Sequence, residues 1–252
     1  QIIPLKRKLW WKSMKIYAKY ILKRDADALV VQTDDVKERV KKLLSKKSVF
    51  TVSNTISEHY LSPRKAAKKL PVKAKNQFRL LTLSAWYPHK NLSIIPKVLD
   101  VLIKKGYKNI VFIVTLPKED MAKLCLVDKY EGQLINTGQV KVEEGASLYQ
   151  ECDAMFLPTL LECFSASYAE AMQLKKPIIT SDMGFGHTVC KDAALYVNSM
   201  DANDIASKII ELSTFYELQQ DLVSKGVKRL EVFGSSHDRA KRYLEICEAL
   251  IK

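Results

Sequence analysis

From Phe78 onward, short apolar runs alternate regularly with longer segments of helical period, and this alternation leaves few folds open. The spacing predicts strands at 78–83, 110–115, 133–136, 153–157, 177–180 and 194–197. Helices are expected at 92–105, 118–128, 146–151, 166–175, 202–213 and 215–232. Runs such as Ala154-Met-Phe-Leu157 are apolar throughout instead of alternating, as expected of strands buried on both faces. Short strands joined through helices require right-handed crossovers. The expected fold class is therefore α/β: a Rossmann-like parallel sheet with helices on both faces. Ligands of such sheets sit beyond the carboxyl ends of the strands. Lys90 and Glu162 both follow strand ends and so fall on that rim.

The first third of the chain is different. Residues 1–79 carry 21 Lys and Arg against 6 Asp and Glu, whereas the remaining residues carry 20 against 22. All of the net charge of +13 thus lies in the first third, and the sheet region is close to neutral. Within it, residues 4–24 place Trp10, Met14, Tyr17 and Ile21 at helical spacing, flanked by Trp11 and Ala18, with lysines opposite. Such a helix either packs on a sheet that these residues do not contain or lies on an anionic membrane surface. Ala28–Gln32 and Ser48–Val52 read as strands around a helix from Asp34 to Leu44. The basic run Arg64–Lys75 reads as a linker. A final amphipathic helix spans His237 to Lys252. The expected organisation is a basic segment over 1–75, a ligand-binding domain over 76–235, and a helix over 236–252 that packs back toward the N-terminal part. The sequence opens without an initiator methionine and without the small-residue cleavage site of a signal peptide, so it is expected to be part of a longer chain.

Two glutamates, Glu162 and Glu170, bracket a small-residue stretch that leads from a loop into a helix starting near Ser165 or Ala166. A helix start offers unpaired backbone N–H groups to a phosphate. Carboxylates on either side can accept hydrogen bonds from sugar hydroxyls, so the pair suggests a nucleotide-sugar site. Lys90, in Tyr87-Pro-His-Lys-Asn91, is placed to neutralise charge developing on a departing diphosphate. Taken singly, each residue also has a structural explanation. Lys90 suits a solvated turn, Glu170 suits the first turns of a helix, and Asn136-Thr-Gly-Gln-Val140 suits a plain glycine turn.

Pro158–Met172 resembles the paired-glutamate region of retaining GT-B glycosyltransferases of sequence family four, the glycosyl transferases group 1. The pattern there is Glu-Gly-Phe-Gly, four residues, then Glu-Ala-Met. Lys176–Gly184 resembles its continuation, and Leu80–Leu92 its first strand and phosphate loop. The resemblance runs from about residue 25 to the C-terminus with order and spacing kept. It implies that Glu170 grips the ribose and Glu162 the donor sugar, with Lys90 on the diphosphate. The amides of Phe164, Ser165, Ala166 and Ser167 would receive the phosphates, Ser84 would lie in the phosphate loop, and Val140 would meet the base. Residues 1–75 would be the closing part of an acceptor-binding domain. Three departures stand out: Ala85 where the family carries an arginine, Ser84 where it carries glycine, and Cys163 and Ser165 for two further glycines. His89 is a candidate replacement cation.

The resemblance further implies retaining, hexosyltransferase-like chemistry in polysaccharide biosynthesis. The donor would be a nucleotide-sugar and the acceptor a glycan or lipid-linked molecule, with no cofactor and no metal. Asp25-Ala-Asp27 superficially matches a metal-binding Asp-x-Asp pair, but it precedes its strand and is expected to end the basic helix. Charge asymmetry speaks against nucleic acid as a partner of the glutamate pair. Five scattered cysteines without Cys-x-x-Cys spacing fit a reducing, cytoplasmic setting, with peripheral contact at the inner face of a membrane through residues 1–24. The alternative is a non-catalytic nucleotide-binding domain or a membrane- or polyanion-docking domain. His187, in Asp182-Met-Gly-Phe-Gly-His187, is expected to be a loop histidine and not a catalytic base.

Overall fold

The computed structural model describes residues 5–62, 70–124 and 127–251. In chain order its elements are α1 (Leu5–Asp25), β1 (Ala28–Val31), α2 (Asp34–Leu43), β2 (Ser48–Thr51), α3 (Glu58–Leu61), β3 (Phe78–Thr82), α4 (Ile95–Lys104), β4 (Ile110–Val114), α5 (Lys118–Leu124), β5 (Leu134–Asn136), α6 (Val142–Glu151), β6 (Ala154–Leu157), α7 (Ala166–Gln173), β7 (Ile178–Ser181), α8 (Gly184–Cys190), β8 (Ala194–Val197), α9 (Ala202–Thr214), α10 (Tyr216–Leu230) and α11 (Ser236–Ile251). They form two compact units, one of residues 1–54 with 237–252 and one of residues 55–236.

In the smaller unit β1 and β2 pair in parallel, Ala28 opposite Ser48 through Val31 opposite Thr51. The intervening α2 starts at Thr33, whose hydroxyl accepts the Val36 N–H at 3.4 Å. Asp34 and Asp35 occupy its first turn and Lys41 and Lys42 its last, matching the helix dipole at both ends. In α11, Arg239 donates to the Asn54 side chain at 2.8 Å. α1 departs from the expected single apolar face: Trp10, Trp11, Met14 and Tyr17 are exposed, and so are Leu9, Ile16 and Tyr20, which form a second apolar line beside the lysines. Asp25 is the last residue of α1 and pairs with Arg24.

The larger unit is a six-stranded parallel sheet in the order β5-β4-β3-β6-β7-β8. Chain order runs outward from β3 in one direction and from β6 in the other, so the order reverses between them. That is where a doubly wound sheet opens a crevice at its carboxyl edge. Side chains alternate across the sheet with period two. Leu80, Phe112, Val114 and Phe156 enter the core against α4 and α9, where Leu99, Ile205 and Ile209 are fully buried. Leu81, Val111, Ile113 and Met155 enter the core on the other face, with Tyr149, Tyr168 and Met172 from α6 and α7. Each strand therefore buries both faces, which explains its unbroken apolar sequence.

The strands fall within a residue or so of expectation, but four other segments need correction. Helix α6 begins at Val142 instead of 146, because the Glu144 carboxylate accepts the Lys141 N–H at 2.8 Å and closes an earlier first turn. Helix α5 ends at Leu124, and Cys125, counted in the cysteine argument, lies outside the described residues. Helix α8 occupies a stretch expected to be loop. A Cβ on its Gly186 would sit 3.0 Å from the Ser181 carbonyl, so the glycine serves a close helix–strand approach. The short α3 carries no periodic signal. Part of the expected linker, up to Lys69, lies outside the described residues. Its end is tied down: Lys73 reaches both Asp153 carboxylate oxygens at 2.5 and 2.6 Å, and buried Arg79 donates to the Pro71 carbonyl at 2.7 Å.

Candidate functional site

The loop after β3 turns through a 3-10 segment, Pro88–Lys90, and ends at Asn91 in the left-handed region with φ 55°. The Asn91 side chain donates to the Ser199 carbonyl at 2.8 Å, which holds that conformation. The His89 carbonyl accepts from the Leu160 N–H at 2.7 Å and from the Thr159 hydroxyl at 3.0 Å. These bonds stitch the β3 loop to the loop after β6. Buried Ser181 donates to the Thr159 carbonyl at 2.5 Å and is in turn hydrogen-bonded to Ser199. This hydroxyl chain crosses the carboxyl ends of β6, β7 and β8. It leaves the Lys90 ammonium 2.5 Å from the Glu162 carboxylate, both side chains being more than four-fifths buried. The sequence places these residues on one rim, and the structure brings them into direct contact.

Helix α7 starts after Ser165, whose backbone is extended and whose side chain makes no capping bond to the first turn. The N–H groups at this helix start are therefore not met by a side-chain cap. Ser165 is buried, and the Phe164 ring is buried against Phe233 with ring centres 5.0 Å apart. Phe164 can offer a ligand only its main chain. Cys163 is exposed.

Glu170 lies on the next turn of α7. It lines a cavity of about 240 Å³ with Tyr60, Leu83, Val140, Lys141, Val142 and Ser167. Burial pushes its carboxyl up to about 7, against a smaller opposing effect of the neighbouring Tyr60 hydroxyl. A second cavity of about 490 Å³ is lined by Ser84, Ala85, Thr115, Pro117, Gln139 and Lys141, and shares Leu83, Val140 and Lys141 with the first. Both lie by the β3 end of the sheet's carboxyl edge. Val140, Ser167 and Glu170 thus come together, and Ser84 joins Val140 next door. Lys90 and Glu162 border neither cavity.

His89 stacks on Tyr87 at 5.6 Å. His187 stands on α8, not in a loop, stacked on Tyr196 at 3.9 Å and 2.6 Å from Asp182. Sequence reasoning missed Tyr60 and Lys141. Tyr60 belongs to a four-residue helix with no apolar period, and Lys141 is one lysine among many; neither carries a signal that separates it from its neighbours. Among the described residues, no group of three or more His, Cys, Asp or Glu is placed to hold a metal ion. No described helix is long and apolar enough to cross a membrane.

Among solved structures, the chain is similar to the sucrose-phosphate synthase of Thermosynechococcus elongatus, with a TM-score of 0.79 and 17% identity over 95% of this chain and 62% of that one. It is also similar to S. aureus TarM in complex with Fondaparinux, alpha-GlcNAc-glycerol and UDP, with a TM-score of 0.73, 18% identity, and 93% and 46% of the two chains covered. A third is the pneumococcal O-GlcNAc transferase GtfA in complex with UDP and GlcNAc, with a TM-score of 0.70, 14% identity, and coverage of 92% and 47%. At such identities the likeness is one of fold, and the chain spans less than two thirds of the length of these proteins. No curated protein matches in sequence. The sequence profile of one family matches residues 63–229, well over half of the chain, and that region contains the sheet, the glutamate pair and Lys90: the chain belongs to the glycosyl transferases group 1.

Proposed function

We propose that residues 76–235 bind a nucleotide-sugar and form the donor half of a retaining, hexosyltransferase-like glycosyltransferase. The observation that carries this is the half-buried Glu170 carboxylate in a cavity at the open edge of the sheet, with the Lys90–Glu162 pair held on the same edge. Glu170 would accept the ribose hydroxyls. Ser84 and Val140 would flank the nucleoside, and the main-chain N–H groups of Phe164 through Ser167 would face the diphosphate. Lys90 would offset charge on the leaving diphosphate as the bond from anomeric carbon to phosphate oxygen breaks. Glu162 would orient the sugar while the acceptor hydroxyl forms its new bond on the same face. Lys141, which borders both cavities, is a better-placed second cation than His89 for the position left by Ala85.

The acceptor would be a glycan or a lipid-linked molecule in polysaccharide synthesis. Residues 1–75 would be the end of an acceptor-binding domain, and 236–252 a helix returning to it. On this reading the 252 residues alone transfer sugar weakly, since they span only 46% of the TarM chain and 62% of the synthase. A cytoplasmic protein docked on the inner membrane face through residues 1–24 is compatible with the exposed Trp10, Trp11 and Tyr17.

The test is a thermal-shift and calorimetric panel of UDP, GDP and ADP and their sugars. A ligand at 100 times its Kd adds about 2.7 kcal/mol of stability. Glu170→Ala is expected to abolish the shift. Lys90→Ala is expected to weaken diphosphate binding by about 10- to 100-fold, the worth of a hydrogen bond to a charged group. Absence of binding by every nucleotide would end the proposal.

A further inference from the structure

The last rung between β4 and β5 sets Val114 opposite Asn136, and beyond it a side chain continues the pairing. The Asn136 side-chain oxygen accepts from the Leu116 N–H at 2.9 Å and from the Gly138 N–H at 3.1 Å. Its nitrogen donates to the Leu116 carbonyl at 2.8 Å. Meeting both main-chain groups of one residue takes a donor and an acceptor side by side, which an amide supplies and a carboxylate does not. Leu116 is fully buried, so its N–H and C=O have no water to fall back on. The residues flanking this clamp are walls of the cavity of about 490 Å³: Thr115 and Pro117 from one loop, Gln139, Val140 and Lys141 from the other. Each wall runs straight into a helix. The Pro117 carbonyl accepts the Asp120 and Met121 N–H groups at 3.1 and 2.9 Å, and the Glu144 carboxylate holds the Lys141 N–H. Asn136 ties the two walls to each other.

We propose that Asn136 is a positioning residue that sets the spacing of these two walls and thereby selects the base of the donor nucleotide. This rests on the nucleotide-sugar reading above. On that reading Glu170 takes the ribose from the smaller cavity, while Lys90 and the start of α7 take the diphosphate. The larger cavity, which shares Leu83, Val140 and Lys141 with the smaller one, is the space left for the base. Its walls combine apolar surface on Pro117 and Val140 with hydrogen-bonding groups on Thr115 and Gln139, a composition suited to a heteroaromatic ring. Purines and pyrimidines differ in size and in the polar groups on their edges. Walls held at a fixed spacing favour one of them, and walls free to shift accept each more evenly.

The experiment is calorimetric titration of UDP, GDP and ADP into the chain, Asn136→Leu, Asn136→Asp and Glu170→Gln. The unaltered chain is expected to rank the three nucleotides. Asn136→Leu deletes all three bonds of the clamp. In it the preferred nucleotide is expected to bind about tenfold weaker and the other two to change by less than about twofold, the order that a small misfit in a pocket is worth. The ranking therefore flattens. Asn136→Asp keeps both accepted bonds and loses the one donated to the Leu116 carbonyl. It is expected to flatten the ranking in the same direction, and it covers the case in which Asn136→Leu folds poorly. Glu170→Gln alters the contact to the ribose that all three share, so it is expected to weaken them alike and preserve the ranking. Equal weakening of all three by the Asn136 variants, an unchanged ranking, or equal binding of the three by the unaltered chain would overturn the role of Asn136 and leave the donor site standing. Failure of the unaltered chain to bind any of the three nucleotides would remove the donor site and this inference together.

Discussion

Glu170 is costly to the chain in its charged state, and the sign of that cost can be measured. Burial raises its folded-state value to about 7 from an ordinary 4.5, so the folded protein holds a proton that the unfolded chain has released. Its contribution is present in full below about pH 4.5 and is lost as pH rises through 7. Stability is therefore expected to fall between pH 5 and 8 by roughly 2 to 3 kcal/mol from this group. Glu170→Gln removes the slope and makes the chain more stable than its parent at pH 8; urea unfolding at the two pH values is the check. An unchanged slope would mean that the carboxylate is better solvated than its cavity implies. Lys90 and Glu162 behave differently, since each neutralises the other at 2.5 Å. Removing one partner leaves the other buried and unpaired, which is harmful whatever the function. A residue carrying unusual chemistry and a residue merely paired look alike in sequence. Glu162 and Glu170 could be selected from the chain only because they recur at a fixed spacing in a small-residue stretch.

At the scale of elements, the site depends on loops held by hydroxyls. Thr159 is fully buried and donates to the His89 carbonyl at 3.0 Å and the Leu161 carbonyl at 3.2 Å. Thr159→Val keeps the shape and removes both bonds, at an expected cost of about 1–2 kcal/mol. Because the same bonds position the Lys90 loop, nucleoside diphosphate affinity should fall alongside the chemical-denaturation midpoint. Loss of stability without loss of affinity would separate the two loops. The sheet was legible in the sequence because burial on both faces leaves an apolar run, as in Ile110–Val114, that little else produces. Helix α8 was not, because Gly184 and Gly186 signal a turn unless the close approach to Ser181 is known. Tyr60 was not, because its place in the cavity depends on the space left by Gly145 and is shared with Glu170, 85 and 110 positions away. Local pattern reports what a segment does alone, and a long-range contact leaves no mark in it.

For the whole molecule, charge is the dominant asymmetry. The first 79 residues hold the excess of cations, and α1 adds exposed Trp10 and Trp11 to it. Vesicles containing phosphatidylglycerol are expected to co-sediment the chain, neutral phosphatidylcholine vesicles are not, and salt near 1 M should release it as screening shortens to about 3 Å. Deleting residues 1–24 should abolish sedimentation without touching nucleotide binding. Salt-insensitive or lipid-independent sedimentation would point to aggregation.

The strand order has one more consequence. Strand β3 takes β6 as its inner neighbour, and roughly seventy residues separate them in the chain. A nascent polypeptide leaving the ribosome therefore presents β3, β4 and β5 well before β6 exists to cover the exposed rim of β3. Until then the half-made domain has an open sticky edge, so premature termination or a translational pause before Ala154 is where a chaperone would matter most.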